Sequence, residues 1–288
     1  MSESLSDWLA LREAADWAAR SEALVRRVAD AIGTAGTLRG LDLCTGTGSN
    51  LRYLLDRLPG RQQWLVVDRD AALLDEVPTR LASWARAKGC TVATVGRVSQ
   101  LQGDHLDAHV ETRQMNLDRL DAPLFEGRDL VTASALLDLV SESWLRLLAA
   151  HCRGAGAAAL FSITYNGQSS CDPAEPEDDM VRELMNLHQK TDKGLGGPAA
   201  GPDGWAVAER VFEEAGYRVE RASSDWSLEP RDREFQRQLI EGWAYAAREI
   251  APRETSVIEG WLKRRLAHVD AGDSHIVVGH VDMAALGR

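Results

Sequence analysis

The stretch LDLCTGTGSN, residues 41–50, carries the strongest structural signal in the chain. Leu41 and Leu43 are typical of a short buried strand, Gly46 and Gly48 indicate a turn, and the apolar residues that follow return to helical spacing. A strand that ends in a glycine turn and opens a helix lets backbone N–H groups approach a ligand closely, and the helix N-terminus adds a partial positive charge. The stretch therefore predicts a ligand-binding turn at the edge of a sheet.

An acidic residue directly follows the next apolar run of the sequence. Asp68 lies 20 residues after Gly48 and directly after the run Trp64–Val67, which is typical of a strand buried on both faces. A carboxylate at that point can accept hydrogen bonds from both hydroxyls of a ribose. The alternative is that Asp68 is the N-cap of the helix that begins near Leu73.

Strand-like and helical segments alternate along most of the chain, which predicts an α/β fold with a doubly wound, mostly parallel sheet. We expect residues 1–37 to form an N-terminal helical cap and residues 38–288 to form the main domain. Two segments interrupt this alternation of strands and helices. Residues 166–204, rich in acids, Pro and Gly, predict a lid-like insertion, and residues 229–271 predict a helical insertion before the last strand. Within the helical insertion, Trp243 and Trp261 could pack the core or form the face of a homodimer.

The composition excludes several classes of protein. The 288 residues include 44 acidic and 33 basic side chains, a net charge of −11, so a nucleic-acid binder is not expected. Four scattered cysteines with no C-x-x-C pair indicate a reduced, cytoplasmic protein without structural zinc. The acidic N-terminus does not resemble a signal peptide, and no apolar run has the length of a membrane span.

The pattern D-x-C-x-G-x-G, formed by Asp42, Cys44, Gly46 and Gly48, resembles motif I of the class I S-adenosylmethionine-dependent methyltransferases. The resemblance covers roughly residues 38–165 and 205–224. It implies a seven-stranded Rossmann-like methyltransferase fold with an antiparallel last strand, and S-adenosyl-L-methionine as the cofactor. The cofactor-binding residues that it implies, besides those four, are Asp68 at the ribose, Asn116 and Leu117 at the adenine, and Ser134 after the fourth strand.

Two residues depart from the family's pattern. Cys44 stands where the first glycine usually lies, and it fits a strand-to-turn junction if its φ angle is negative. Asn116 replaces the common acid, and its amide oxygen can accept a hydrogen bond from an amino group as a carboxylate does. Cys44 as a catalytic nucleophile is a further alternative, although no His or Lys stands beside it in the sequence to lower its pKa.

The resemblance predicts an enzyme that transfers a methyl group to an O or N atom of a small molecule. The alternatives are a regulatory or partner protein that binds S-adenosylmethionine without turnover, and a nucleotide-dependent oxidoreductase. The oxidoreductase is disfavoured because the third glycine of a dinucleotide fingerprint falls on Leu51. Methyl transfer needs mainly placement of the two reactants, so a fixed catalytic base is not required.

Candidate substrate residues lie where strand ends open a crevice: Asp138 and Tyr165, and in the insertion Asp192 and Lys193. His188 is the candidate catalytic base, because a helix that continued through Asp192 would place that carboxylate beside the imidazole. The alternative is an exposed helix end with ordinary polar residues.

Two further pairs of residues have two interpretations each. Arg12 and Arg20 on the N-terminal cap could reach the methionine carboxylate of the cofactor, or could form surface salt bridges. His105 and His109, four residues apart, could suggest a metal, but no third ligand has matching spacing, so no metal is expected.

Overall fold

The computed structural model describes residues 5–33 and 36–287. Within them, ten strands form one mixed sheet in the order β3-β4-β5-β2-β1-β6-β7-β10-β8, and β9 pairs with β10. The predicted α/β class is confirmed, and the predicted count of seven strands is wrong. The strands are β1 (Thr37–Leu43), β2 (Arg61–Asp68), β3 (Thr91–Val95), β4 (Val98–Gly103), β5 (Leu106–Gln114), β6 (Leu130–Ser134), β7 (Ala158–Asp172), β8 (Tyr217–Ser223), β9 (Trp226–Leu228) and β10 (His275–Gly287).

Five central strands, β5, β2, β1, β6 and β7, are parallel, and β10 runs antiparallel between β7 and β8. Strand β1 lies in the middle, where Leu41 pairs with Leu65 of β2 on one side and with Val131 of β6 on the other. These three leucine and valine side chains are buried because helices cover both faces of a doubly wound sheet. The carboxyl ends of β1, β2 and β6 therefore meet at one edge.

The three strands beyond the expected seven are local additions. Strands β3 and β4 form a hairpin that continues the sheet antiparallel to β5, and β9 adds three residues beside β10. The hairpin turns at Gly96, whose φ is +59°, and its strands are five and six residues long. Strands this short contain too few residues to show a clear alternation of apolar and polar side chains. Strand β3 also exposes nearly every residue to solvent, so it lacks the buried face that produces such an alternation.

Nine α-helices in the described residues flank the sheet. They are α1 (Leu5–Ala19), α2 (Glu22–Ile32), α3 (Ser49–Leu55), α4 (Ala71–Ala87), α5 (Glu142–Ala155), α6 (Asp178–Gln189), α7 (Gly204–Glu214), α8 (Arg233–Ile250) and α9 (Thr255–Ala271). The two helices expected before the first strand are present. The predicted cap also includes residues 1–4, 34 and 35, which lie outside the described residues, as does residue 288 of the predicted main domain.

The predicted insertion at residues 166–204 begins as strand. Strand β7 extends to Asp172 and pairs with β10 back to His275, so both strands are longer than the sequence predicted. Helix α6 follows and packs against α8, which in turn packs against α9. Trp243 and Trp261 lie in the apolar core of this helical layer, with 8% and 1% of their surface exposed, which agrees with the core-packing alternative. Within the described residues, no helix has both the length and the apolar character that crossing a membrane requires.

Candidate functional site

A cavity of about 390 Å³ lies at the carboxyl ends of β1, β2 and β6, beneath helix α1. The predicted site residues that line it are Cys44, Gly46, Asp68, Leu117 and Ser134. The cavity is thus at the edge of the sheet where an open α/β fold binds its ligands. It also contains residues from α1 that the sequence analysis did not place there, namely Leu5, Trp8, Leu9, Asp16 and Trp17.

The glycine turn after β1 has three residues in the left-handed region. Gly46 and Gly48 have φ angles of +56° and +80°, and Cys44 has a φ of +51°. The condition under which Cys44 was expected to fit this junction, a negative φ, is therefore not met. A left-handed conformation costs a non-glycine residue about 1–2 kcal/mol, so the turn holds Cys44 in a strained state. Burial raises the pKa of its thiol to about 12, which argues against Cys44 as a nucleophile.

Asp68 is joined to the glycine turn. Its Oδ2 accepts a hydrogen bond from the backbone N–H of Gly46 at 2.8 Å, and its Oδ1 accepts from the N–H of Asp70 at 3.0 Å. The N-cap of α4 is Asp70, whose Oδ1 accepts from the N–H groups of Ala72 and Leu73. The N-cap alternative for Asp68 is thus not realised, and its carboxylate lies at the cavity wall with lone pairs for a further donor.

Asp42 lies beneath the turn and is fully buried. Its carboxylate accepts hydrogen bonds from Thr45 Oγ1 at 2.5 Å and from Asn50 Nδ2 at 2.6 Å. Burial raises the pKa of this carboxyl to about 6, and the two hydrogen bonds oppose the rise. Asp42 is not among the residues lining the cavity, so the structure gives it a positioning role for the turn. Gly48 is likewise outside the lining and precedes α3 as its N-cap.

Of the two residues predicted to contact the adenine, one lines the cavity and the other does not. Leu117 is buried at the cavity wall, next to Met115. Asn116 between them is exposed, and its Oδ1 accepts a hydrogen bond from the N–H of Asp118 at 3.1 Å. Adjacent side chains of an extended segment point in opposite directions, which places Leu117 and Asn116 on different sides. Asn116 is therefore not among the cavity-lining residues.

Arg20 lines the cavity from the end of the α1 segment and is 5% exposed. Its Nη1 donates to Asn50 Oδ1 at 2.6 Å, and its guanidinium lies over the ring of Tyr53, 4.0 Å from the centroid. Its Nε and Nη2 are buried without a hydrogen-bond partner among the described residues. Burial lowers the pKa of Arg20, and Asp282 is the leading charge that opposes this. Of the two alternatives for Arg20, the surface salt bridge is excluded by this burial.

Helix α1 is fixed over the cavity by contacts at several points along its length. Trp17 Nε1 donates to Ser49 Oγ at 3.0 Å, and Glu13 accepts from Arg52 Nη2 at 2.5 Å. Leu9 packs on the glycine turn so closely that a Cβ added at Gly46 would lie 3.0 Å from its Cδ1. The helix thus closes the side of the cavity above the turn.

The predicted substrate residues of the main domain are buried beside the cavity. Asp138 is 6% exposed, and its Oδ1 has no hydrogen-bond partner among the described residues. Burial raises the pKa of this carboxyl to about 6, while the charges of Arg12 and Lys193 lower it. Tyr165 is also 6% exposed, its hydroxyl donates to Asn186 Oδ1 at 2.8 Å, and burial raises its pKa. Asp138 and Tyr165 are not among the lining residues themselves.

The predicted base lies apart from the cavity. Helix α6 ends at Gln189, so Asp192 is outside the helix, and its Oδ1 accepts from the N–H of Gly194 instead of from His188. His188 Nε2 lies 3.0 Å from Glu249 Oε2, and its Nδ1 lies 3.4 Å from Lys193 Nζ. The expectation that Asp192 orients His188 is therefore wrong, because Glu249 of α8 occupies that place.

The two histidines that suggested a metal do not form a site. His105 lies in the turn before β5 and His109 lies within that strand. In the part of the chain that the structure describes, no three His, Cys, Asp or Glu side chains are placed to hold a metal ion together.

No family model and no curated protein matches the sequence. Among solved structures, the chain is similar to the YcgJ protein from Bacillus subtilis, with 12% identity over 93% of this chain and 100% of that chain and a TM-score of 0.48. It is also similar to the cyclopropane synthase MmaA2 from Mycobacterium tuberculosis, with 11% identity over 91% and 83% of the two chains and a TM-score of 0.43. A third is geranyl diphosphate C-methyltransferase from Streptomyces coelicolor, solved with Mg²⁺, geranyl diphosphate and S-adenosylhomocysteine, with 15% identity, coverage of 92% and 80% and a TM-score of 0.42.

The fold assignment does not depend on these neighbours, whose TM-scores are all below 0.5. It rests on the order of the parallel strands, on the glycine turn after β1 and on the antiparallel β10, which were the features the sequence resemblance implied. By these features, the protein has the Rossmann-like fold of the class I methyltransferases.

Proposed function

We propose that the protein is an S-adenosylmethionine-dependent methyltransferase that acts on an O or N atom of a small molecule. One observation carries the proposal: Asp68 and Arg20 line the same cavity, one as an acceptor tied to the glycine turn and the other as a buried guanidinium with unpartnered donors. S-adenosylmethionine carries a ribose diol at one end and a carboxylate at the other. The two groups are complementary to these two residues.

The residues present fit this cofactor. A buried N–H without an acceptor costs about 1–3 kcal/mol, and a carboxylate would satisfy Nε and Nη2 of Arg20 through charge-assisted hydrogen bonds. Asp68 would accept from the ribose hydroxyls, since the N–H groups of Gly46 and Asp70 hold it in place. Leu117 and Met115 offer an apolar wall for the adenine.

The same cavity suits a dinucleotide poorly. A nicotinamide cofactor places its pyrophosphate against the glycine turn and the N-terminus of the following helix. Here a methyl group of Leu9 covers Gly46, and Leu51 at the third glycine position is fully buried in α3. An apolar side chain in that place would strip water from a pyrophosphate without replacing its hydrogen bonds.

The chemistry then depends chiefly on placement. The bound cofactor supplies a methyl group already activated on a sulfonium. Helix α1 covers one side of the cavity, and we assign the substrate end to the apolar part of the lining that includes Trp8 and Leu139. We propose Asp138 and Tyr165 as substrate residues that lie behind this part of the lining. Holding the acceptor atom close to the methyl carbon contributes most of what such a reaction needs.

The test is methyl transfer from S-adenosylmethionine carrying a ¹⁴C-methyl group to a protein-free extract of small metabolites. The proposal predicts that label appears in a small molecule and that S-adenosylhomocysteine accumulates in equal amount. The Asp68→Ala variant should transfer no label, whereas Ser141→Ala, which removes the N-cap of α5 at a residue that does not line the cavity, should retain transfer. Binding of the cofactor without any transfer would favour the non-catalytic alternative.

A further inference from the structure

The cavity contains a second guanidinium that the cofactor leaves unused. Arg12 of α1 lines the cavity, as does Arg20, which directly follows that helix. The two guanidinium groups have different neighbours, since that of Arg12 lies over the ring of Trp226 and that of Arg20 lies over the ring of Tyr53. The cofactor of the proposed function, on which this inference rests, has a single carboxylate, and that function assigns it to Arg20.

The Arg12 side chain is held in a defined orientation. Its Nε donates to Asp16 Oδ2 at 2.9 Å, and its guanidinium lies over the ring of Trp226, 5.1 Å from the centroid. Asp16 is itself fixed, because its Oδ1 accepts from Trp226 Nε1 at 3.0 Å. The arginine side chain is 12% exposed. One edge and one face of the guanidinium are thus occupied by the protein.

The other edge of the guanidinium has no partner within residues 5–33 and 36–287. Neither Nη1 nor Nη2 of Arg12 makes a hydrogen bond to any of the described residues. Asp138 interacts with Arg12 electrostatically, but the two are not joined by a hydrogen bond. The two Nη groups therefore present a donor fork at the cavity wall, with the geometry that binds a carboxylate through two parallel hydrogen bonds.

We propose that Arg12 is a specificity-determining residue that binds the carboxylate of the methyl-accepting substrate, which is a small apolar or aromatic acid. Asp16 already neutralises much of the charge on Arg12, so a monoanion fits this position better than a phosphate dianion. The apolar part of the acid is set by apolar residues of the same cavity, among them Leu139 and Trp8, which lies one helical turn from Arg12.

The test uses three matched pairs of probes: benzoate and benzamide, phenylacetate and phenylacetamide, and indole-3-acetate and indole-3-acetamide. Each is titrated by calorimetry into the full-length protein saturated with S-adenosylhomocysteine. At least one acid should bind, and its amide should bind at least about tenfold more weakly, the loss expected when a charge-assisted hydrogen bond is removed. Inorganic phosphate should not bind.

The variants separate this inference from the proposed function. Arg12→Gln should bind S-adenosylhomocysteine as the wild type does and should lose the preference for the acid, whereas Arg12→Lys should retain part of it. The control is Arg27→Gln, which removes an exposed arginine of α2 that pairs with Glu220 of β8. This variant should behave as the wild type. Equal binding of acid and amide, an unchanged preference in Arg12→Gln, or no acid binding at all would overturn the inference. Failure of S-adenosylhomocysteine to bind in the first step would instead overturn the proposed function.

Discussion

The backbone N–H of Gly46 donates to Asp68 Oδ2 at 2.8 Å, which joins the glycine turn after β1 to the acid after β2. Neither feature alone specifies a ligand. Joined in this way, they place backbone N–H groups and a carboxylate at one wall of a cavity that α1 closes from above. Arg12 and Arg20 line the same cavity, and they are the residues assigned to the substrate and to the cofactor.

Asp68→Ala is expected to abolish binding of S-adenosylhomocysteine, because the ribose hydroxyls lose their acceptor. The variant also leaves the N–H groups of Gly46 and Asp70 without a partner, which should lower the free energy of unfolding by about 1–2 kcal/mol. Calorimetric titration and urea unfolding measure the two effects. The Ser141→Ala variant, which loses an N-cap worth about 1 kcal/mol, controls for stability alone and should bind normally. Normal affinity in Asp68→Ala would contradict the ribose assignment.

Arg20→Met is expected to weaken S-adenosylhomocysteine binding at least about tenfold, since its carboxylate loses charge-assisted hydrogen bonds. The affinity for 5′-methylthioadenosine, which has the same nucleoside without the amino-acid part, should not change. Comparison of the two ligands by calorimetry isolates the carboxylate contact. Arg12→Met, the same change at the other arginine that lines the cavity, is the matched control and should bind both ligands as the wild type does. An equal loss for both ligands in Arg20→Met would show a general structural role.

Cys44→Gly is expected to change the free energy of unfolding by less than about 1 kcal/mol, because relief of the left-handed backbone strain offsets the lost side-chain packing. Cys44→Val should destabilise the protein by about 2 kcal/mol, since a β-branched residue tolerates a positive φ poorly. The control is Cys152→Gly, the same chemical change at a buried position within α5, which should cost about 2 kcal/mol or more. Urea unfolding distinguishes the three. An equal loss of unfolding free energy in Cys44→Gly and Cys152→Gly would contradict the claim that the backbone of Cys44 is strained.

Asp138→Asn is expected to stabilise the protein at pH 8 by about 2 kcal/mol and to have little effect at pH 4. Burial raises the pKa of this carboxyl in the folded state from 3.8 to about 6. The folded state therefore holds the proton more tightly, and the wild type loses stability as the pH rises from about 4 through about 6. The measurement is urea unfolding at a series of pH values, with Asp118→Asn, an exposed carboxyl, as the control. A constant difference across the series would contradict the expected titration.

His188→Ala is expected to leave the affinity for S-adenosylhomocysteine unchanged and to lower the free energy of unfolding by less than about 1 kcal/mol. Its imidazole pairs with Glu249, whose side chain is 47% exposed, and such surface pairs contribute little. A double-mutant cycle with Glu249→Ala measures the pair. The variant also tests the catalytic role that the sequence suggested: a loss of turnover at unchanged stability would mean that His188 leaves Glu249 and reaches the substrate.

The part of the site that the sequence predicted is the part set by local chain geometry. The glycine turn and Asp68 follow parallel strands, and the ends of parallel strands meet at one edge of a sheet, so their proximity could be inferred from their order along the chain. The buried central strands could be inferred for the same reason, since their apolar runs are continuous.

The rest depends on contacts between distant segments. The left-handed φ of Cys44 and the outward direction of Asn116 are set by the path of the backbone, which a motif match does not specify. Helix α6 ends before Asp192, and the partner of His188 comes from α8, 61 residues away along the chain. The sequence does give a partial indication of the role of α1, because Trp8, Arg12 and Asp16 recur at every fourth position and therefore lie on one helix face.

The most direct test of the cofactor assignment is the thermal unfolding midpoint of the full-length, ligand-free protein with S-adenosylhomocysteine or with NADH. A ligand present at 100 times its dissociation constant stabilises the folded state by about 2.7 kcal/mol, which should raise the midpoint by roughly 5 °C in a chain of this size. The account predicts that rise with S-adenosylhomocysteine and no change with NADH. A rise with NADH alone, or no rise with S-adenosylhomocysteine, would contradict it.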